Sequence, residues 1–146
     1  MKDLRKNVQF QGLGHSSEEK GIEMDDILLI DDDEDFRGML FKLLTKAGYQ
    51  VVACHDGKEG VELFRKHPDF LVITDLIMPE QEGIETIMQL RREYPGVRII
   101  AMSGGGKCSP DIYLESAVRL GACRAFTKPF DTREFLATVK ELTQQQ

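Results

Sequence analysis

Ile27-Leu28-Leu29-Ile30-Asp31-Asp32-Asp33-Glu34-Asp35 sets four apolar residues directly against five acidic ones. A continuous apolar run, without polar residues at alternate positions, is the pattern of a strand buried on both faces, as strands of a parallel sheet are. Similar short runs recur at residues 50–54, 70–74, 98–102 and 124–127. The stretches between them have helical spacing. Phe36, Met39, Leu40, Leu43, Leu44 and Ala47 mark the first, with Gly48 as its stop. Val61, Leu63 and Phe64 mark the second, Ile84, Ile87 and Met88 the third, and Leu114, Ala117 and Val118 the fourth, closed by Gly121. Phe135, Leu136, Val139 and Leu142 mark the fifth, and Asp131 followed three residues later by Glu134 signals its start. Strict strand–helix alternation predicts an α/β domain, a doubly wound parallel sheet of five strands covered by five helices. Ligands of such sheets bind at the carboxyl ends of the strands, so the residues just after each strand are the ones to inspect.

Outward from this frame, residues 1–24 show no sustained periodicity, carry glycines at 12, 14 and 21, and read as a flexible N-terminal extension. The domain itself is expected over residues 25–142, with 143–146 as a tail. A chain of 146 residues suits one domain and buries enough surface to fold without disulfides or a structural metal. Its net charge of −6 lacks the basic excess of nucleic-acid binders, so no direct nucleic-acid contact is expected. Three cysteines without metal-ligand spacing, and no apolar segment long enough for a signal peptide or a membrane span, point to a cytoplasmic protein with reduced thiols and no membrane contact.

The residues after the strands form a chemical set. Asp31 and Asp32 follow the first strand, Asp75 the third, Ser103 and Gly104 the fourth, and Lys128-Pro129 the fifth. If the first and third strands are neighbours, Asp31, Asp32 and Asp75 converge. Two unit charges about 4 Å apart cost on the order of 4 kcal/mol at an effective dielectric of about 20, so the cluster calls for protons or a divalent cation. Hard oxygen ligands with room for water suit Mg²⁺. A carboxylate kept ionised in this way can attack phosphorus and form an aspartyl phosphate. Lys128, the Ser103 hydroxyl and the Gly104 amide are suited to the charge that then sits on the phosphoryl oxygens.

Residues 27–32, Val72-Ile73-Thr74-Asp75-Leu76-Ile77-Met78-Pro79 through Gly83, Met102-Ser103-Gly104 and Lys128-Pro129-Phe130 together resemble the signature segments of bacterial two-component response-regulator receiver domains. The resemblance runs from about residue 25 to 142. It implies a flavodoxin-like strand order of 2-1-3-4-5. It implies Asp75 as phosphoacceptor, with Asp32, Asp75 and the Ile77 backbone carbonyl as Mg²⁺ ligands and Asp31 acting mostly through a metal-bound water. It further implies that Lys128 pairs with the phosphoryl group across a cis bond to Pro129, and that Ser103 moves onto a phosphoryl oxygen to carry the signal. The implied donor is a sensor histidine kinase or phosphotransfer protein. Output would pass through the face of the fourth helix, fifth strand and fifth helix to a downstream protein or a second copy of the chain.

Two features depart from the family pattern. Ala125 occupies the usually aromatic position three before Lys128, and strand alternation points the adjacent Phe126 to the opposite face. Three glycines at 104–106 make a loop whose reordering, in place of a ring flip, is the expected switch. Other readings are weaker. A phosphatase or phosphotransferase using an aspartyl phosphate would want a second acid two residues after Asp75, where Ile77 stands, so a non-enzyme is expected. A flavin phosphate would be repelled by residues 31–35. A degenerate receiver would have lost signature residues that are present here. Because Ile77 cannot orient an attacking water, the phosphoryl group is expected to outlive that of an Ile77→Asn variant. Following acyl-phosphate decay by intact mass checks this, and equal half-lives would contradict it.

Overall fold

The structure is a computed structural model that describes residues 9–11, 26–76, 78, 83–104 and 110–144. Its strands are β1 (Gln9–Gln11), β2 (Asp26–Ile30), β3 (Gln50–Cys54), β4 (Leu71–Asp75), β5 (Arg98–Ser103) and β6 (Arg124–Thr127). Its helices are α1 (Glu34–Lys46), α2 (Gly57–Lys66), α3 (Gly83–Glu93), α4 (Pro110–Leu120) and α5 (Thr132–Thr143). The sheet order is β1-β3-β2-β4-β5-β6. Strands β2 to β6 are mutually parallel, and numbered among themselves they follow the order 2-1-3-4-5.

Strand alternation splits the core into two layers. Leu28, Ile30, Val52, Val72, Ile99 and Ala101 face α2, α3 and α4, meeting Val61, Phe64, Ile87, Leu90 and Ala117. Ile27, Leu29, Val51, Ile73, Ile100 and Met102 face α1 and α5, meeting Leu40, Leu44, Phe135, Val139 and Leu142. Both faces are covered, which is why the runs read as continuously apolar; β4, in the middle, is buried at every residue. The helical spacing overstates the core at four of the described positions, one of them Ala47, the exposed C-cap residue of α1. Met39, Met88 and Val118 are 42%, 45% and 48% exposed, because each flanks a buried residue on its helix and sits past the edge of the covered stripe.

Local chemistry sets the helix ends. Asp33 caps α1 by accepting from Phe36 N at 3.1 Å, Asp56 caps α2 by accepting from Glu59 N at 2.8 Å, and Asp131 caps α5 by accepting from Arg133 N at 2.8 Å. Gly48, with φ 101°, turns the chain after α1 in the left-handed region. Within the segment read as an aperiodic extension, Gln9–Gln11 pairs antiparallel with β3, Phe10 opposite Val52. Three residues are too few to show a period. The rest of residues 1–24 lies outside the described residues, as do Ile77, 79–82 and 105–109.

Gly83, at the start of α3, holds the β4 carboxyl end close. Its N–H donates to Leu76 O at 2.8 Å, and a Cβ there would lie 1.9 Å from Asp75 O. Gly38 on α1 has open space where a Cβ would go. Gly83→Ala is therefore expected to destabilise the domain by about 2 kcal/mol or more. Gly38→Ala is expected to stabilise it by about 0.5–1 kcal/mol. Urea melts of both variants check the pair, and the same sign for the two would contradict it.

Candidate functional site

The carboxyl ends of β2, β4, β5 and β6 deliver the site. Ile30 of β2 pairs in register with Thr74 of β4, Asp75 with Met102 of β5, and Ser103 with Thr127 of β6. Each functional residue is thus the last of its strand or one or two residues beyond it. Backbone bonds continue the sheet past those ends: Asp31 N donates to Cys54 O at 3.2 Å, Leu76 N to Met102 O at 2.9 Å, and Lys128 N to Ser103 O at 2.8 Å.

Asp31 is fully buried and Asp75 nearly so, while Asp32 is exposed. One carboxylate oxygen from each of the three falls within 4.8 Å of the others. Lys128 bridges the buried pair, with Nζ 2.8 Å from Asp31 Oδ2 and 3.6 Å from Asp75 Oδ2. Asp31 Oδ1 also accepts from Asp33 N at 2.9 Å, and Arg37 donates to the Asp31 carbonyl at 2.9 Å. Asp75 Oδ1 accepts from Leu76 N at 3.0 Å.

A single ammonium cannot compensate two buried carboxylates. Burial pushes the Asp75 carboxyl up to about 6, the Asp31 charge adds to the rise, and Lys128 and the Leu76 amide oppose it. Burial also raises Asp31, against its bond to Lys128. The pair is short of one positive charge, and a divalent cation on the Asp32 side fits that deficit and the oxygen donor set. Ser103 lies on the next strand, 1% exposed, and its Oγ has no hydrogen-bond partner among the described residues. A buried hydroxyl left so is costly unless a ligand engages it, and a phosphoryl oxygen is a suitable acceptor.

The acids Asp31, Asp32 and Asp75, the Ser103 hydroxyl and Lys128 therefore come together as the sequence spacing predicts. Gly104 borders the lysine, since a Cβ on it would lie 2.6 Å from Lys128 Cβ. Lys128–Pro129 is cis. Ala125 packs toward the α2–α4 layer and Phe126 toward the α1–α5 layer, the opposite faces that alternation requires. The Ile77 carbonyl and the loop at 105–109 lie outside the described residues.

Sequence reasoning missed two contributors, Phe36 and Arg37, and gave no role to a third, Gly83, which it named only as the end of a signature segment. Phe36 was a core position of α1 by spacing, yet Lys128 Nζ stands 4.1 Å over its ring centroid. Arg37 follows it and holds the Asp31 backbone. Gly83 permits the close approach to Asp75. Only the last had a signal, as a glycine opening a helix.

Comparison with known proteins gives a consistent result. The Response regulator receiver domain family matches residues 27–140. The transcriptional regulatory protein CpxR of Escherichia coli (strain K12) is 33% identical over 119 residues, 82% of this chain and 49% of CpxR. The chain thus spans about half the length of the curated relatives it matches. Among solved structures, a response regulator receiver domain protein from Clostridium thermocellum superposes with a TM-score of 0.77 at 22% identity, over 84% of this chain and 96% of that one. The Vibrio cholerae chemotaxis protein CheY4 gives 0.71 at 27% identity, over 82% and 98%. Four strand ends carrying two acids, one acid, a hydroxyl and a lysine, on a sheet of order 2-1-3-4-5, agree with these matches: the chain belongs to the response regulator receiver domains of two-component systems.

Proposed function

We propose that Asp75 is the phosphoacceptor of this receiver and that the site works with Mg²⁺. The observation that carries this reading is Lys128 bridging Asp31 and Asp75, with the buried Ser103 hydroxyl on the adjoining strand left without a partner among the described residues. An Asp75 carboxylate oxygen attacks the phosphorus of a phosphohistidine. The new O–P bond forms as the P–N bond breaks, and the leaving imidazole nitrogen keeps the electron pair and takes a proton. Asp32, Asp31 and Asp75 would hold the cation, joined by the Ile77 carbonyl; bound there, it neutralises the carboxylates and the phosphoryl oxygens. Lys128 moves its charge from Asp75 toward the phosphoryl group, and Ser103 donates its hydroxyl to a phosphoryl oxygen, with the Gly104 amide beside it.

The donor is a sensor histidine kinase or a phosphotransfer protein, and the setting is cytoplasmic. Output passes through α4, β6 and α5 to a protein target or a second copy, without direct contact to nucleic acid. The domain acts as a switch and not as an enzyme that turns over, for lack of a second acid at position 77.

Incubation with Mg²⁺ and acetyl phosphate should add one phosphoryl group by intact mass to the parent and none to Asp75→Asn. Equal labelling of both proteins would overturn the assignment. The site also predicts a pH dependence. Since the folded Asp75 pKa lies above its unfolded value, the folded chain keeps a proton that the unfolded chain has lost between about pH 4 and 6, and ionisation weakens the fold as pH rises through that window. Asp75→Asn is expected to be more stable than the parent near neutral pH without Mg²⁺, by on the order of 2 kcal/mol. Added Mg²⁺ should narrow this gap by stabilising the parent, and acidification to about pH 4 should close it. Urea melts at the two pH values measure it; a gap that widens on acidification contradicts the sign.

A further inference from the structure

The Lys128 ammonium has a third neighbour besides Asp31 and Asp75. Phe36 sits in the first turn of α1, its backbone N–H held by the Asp33 carboxylate at 3.1 Å. Lys128 Nζ lies over its ring, 4.1 Å from the centroid. That is inside the distance, within about 6 Å, at which the negative face of an aromatic ring attracts a cation.

The ring is braced. It meets the Phe130 ring in a T-shaped contact, centroids 5.8 Å apart and planes at 89°. Phe130 stacks on Phe135 of α5 at 4.6 Å and 20°, and Phe135 is fully buried. The Lys128 stem also passes against Gly104, where an added Cβ would lie 2.6 Å from Lys128 Cβ. The stem is confined by Gly104 and the head by two carboxylates and a ring face.

We propose that Phe36 is a positioning residue for phosphoryl transfer. Its ring face holds the Lys128 ammonium over Asp31 and Asp75 through a cation–π contact. The inference rests on Lys128 being the phosphoryl-binding cation of the preceding reading. Lysine is a flexible point charge on a four-carbon stem, and fixing it costs conformational freedom. Asp31 and Asp75 alone could hold it in several positions, and water competes for it on the exposed Asp32 side. With the ring in place, the cation already stands where charge develops on the phosphoryl oxygens, so little reorganisation is left for the reacting state. An aliphatic residue would fill the same space without the attraction.

The test replaces Phe36 in the full chain with phenylalanines carrying one, two and three ring fluorines, which nearly keep the shape and progressively weaken the negative face. The rate of Mg²⁺-dependent phosphorylation by acetyl phosphate should fall with each fluorine, to about fourfold below the parent for the third. Phe36→Leu should lose at least as much, and Phe36→Trp should retain the parent rate. In a Lys128→Gln background the fluorine series should be flat, which a purely structural role for the ring would not produce. A flat series in the parent background, with unfolding midpoints unchanged, would overturn the proposal. A second readout does not depend on activity. The Lys128 ε-methylene protons should be shifted upfield by the ring current in the unphosphorylated protein and return toward random-coil values in Phe36→Leu. Unshifted protons in the parent overturn the contact itself. If the parent takes no phosphoryl group while the shift is present, the functional reading fails and the contact stands.

Discussion

Two carboxylates on adjacent strands, Asp31 and Asp75, are buried with one ammonium between them, and the rest of the site follows from that imbalance. Burial of like charges is tolerable only with compensation, and Lys128 supplies half of it. Burial itself, with neighbouring carboxylate charge added, raises the proton affinity of both acids against that compensation. A pocket in that condition favours a divalent cation and then an anion that shares it. The sheet fixes the arrangement: β2 and β4 are neighbours in register, so the acids cannot separate without breaking backbone pairing at the centre of the core.

That constraint explains why so much of the site was readable beforehand. Parallel strands buried on both faces announce themselves as apolar runs, and four of the five runs here stop where the chemistry starts. Asp31, Asp75, Ser103 and Lys128 needed only the strand boundary to be placed. The helix caps at Asp33, Asp56 and Asp131 are local effects of side chain on backbone, and the Asp131–Glu134 signal is of that kind.

What escaped the sequence depends on contacts between distant segments. Phe36 has the spacing of a core residue, and nothing in α1 says that a lysine 92 residues later in the chain ends above its ring. Gly83 matters because the Asp75 carbonyl passes within contact distance, which is a tertiary fact. Met39, Met88 and Val118 match the helical period yet remain exposed, since periodicity gives the direction of a stripe and not its width. Gln9–Gln11 joins the sheet through backbone pairing alone, for which three residues carry no pattern.

The short β1 strand gives the two ends of the sheet different characters. An outer strand offers a row of unsatisfied N–H and C=O groups on which a foreign strand can grow. Along β3 that row is taken up by the chain's own Gln9–Gln11, opposite Val51, Val52 and Ala53, the most apolar stretch of the border. The opposite border, β6, is only four residues long, and Arg124 and Thr127 at its ends are exposed. One margin ends in a strand of three residues laid over the apolar β3 and the other in a strand of four with exposed polar ends, so open-ended growth into fibrils is limited at both sides by how little outer strand each offers.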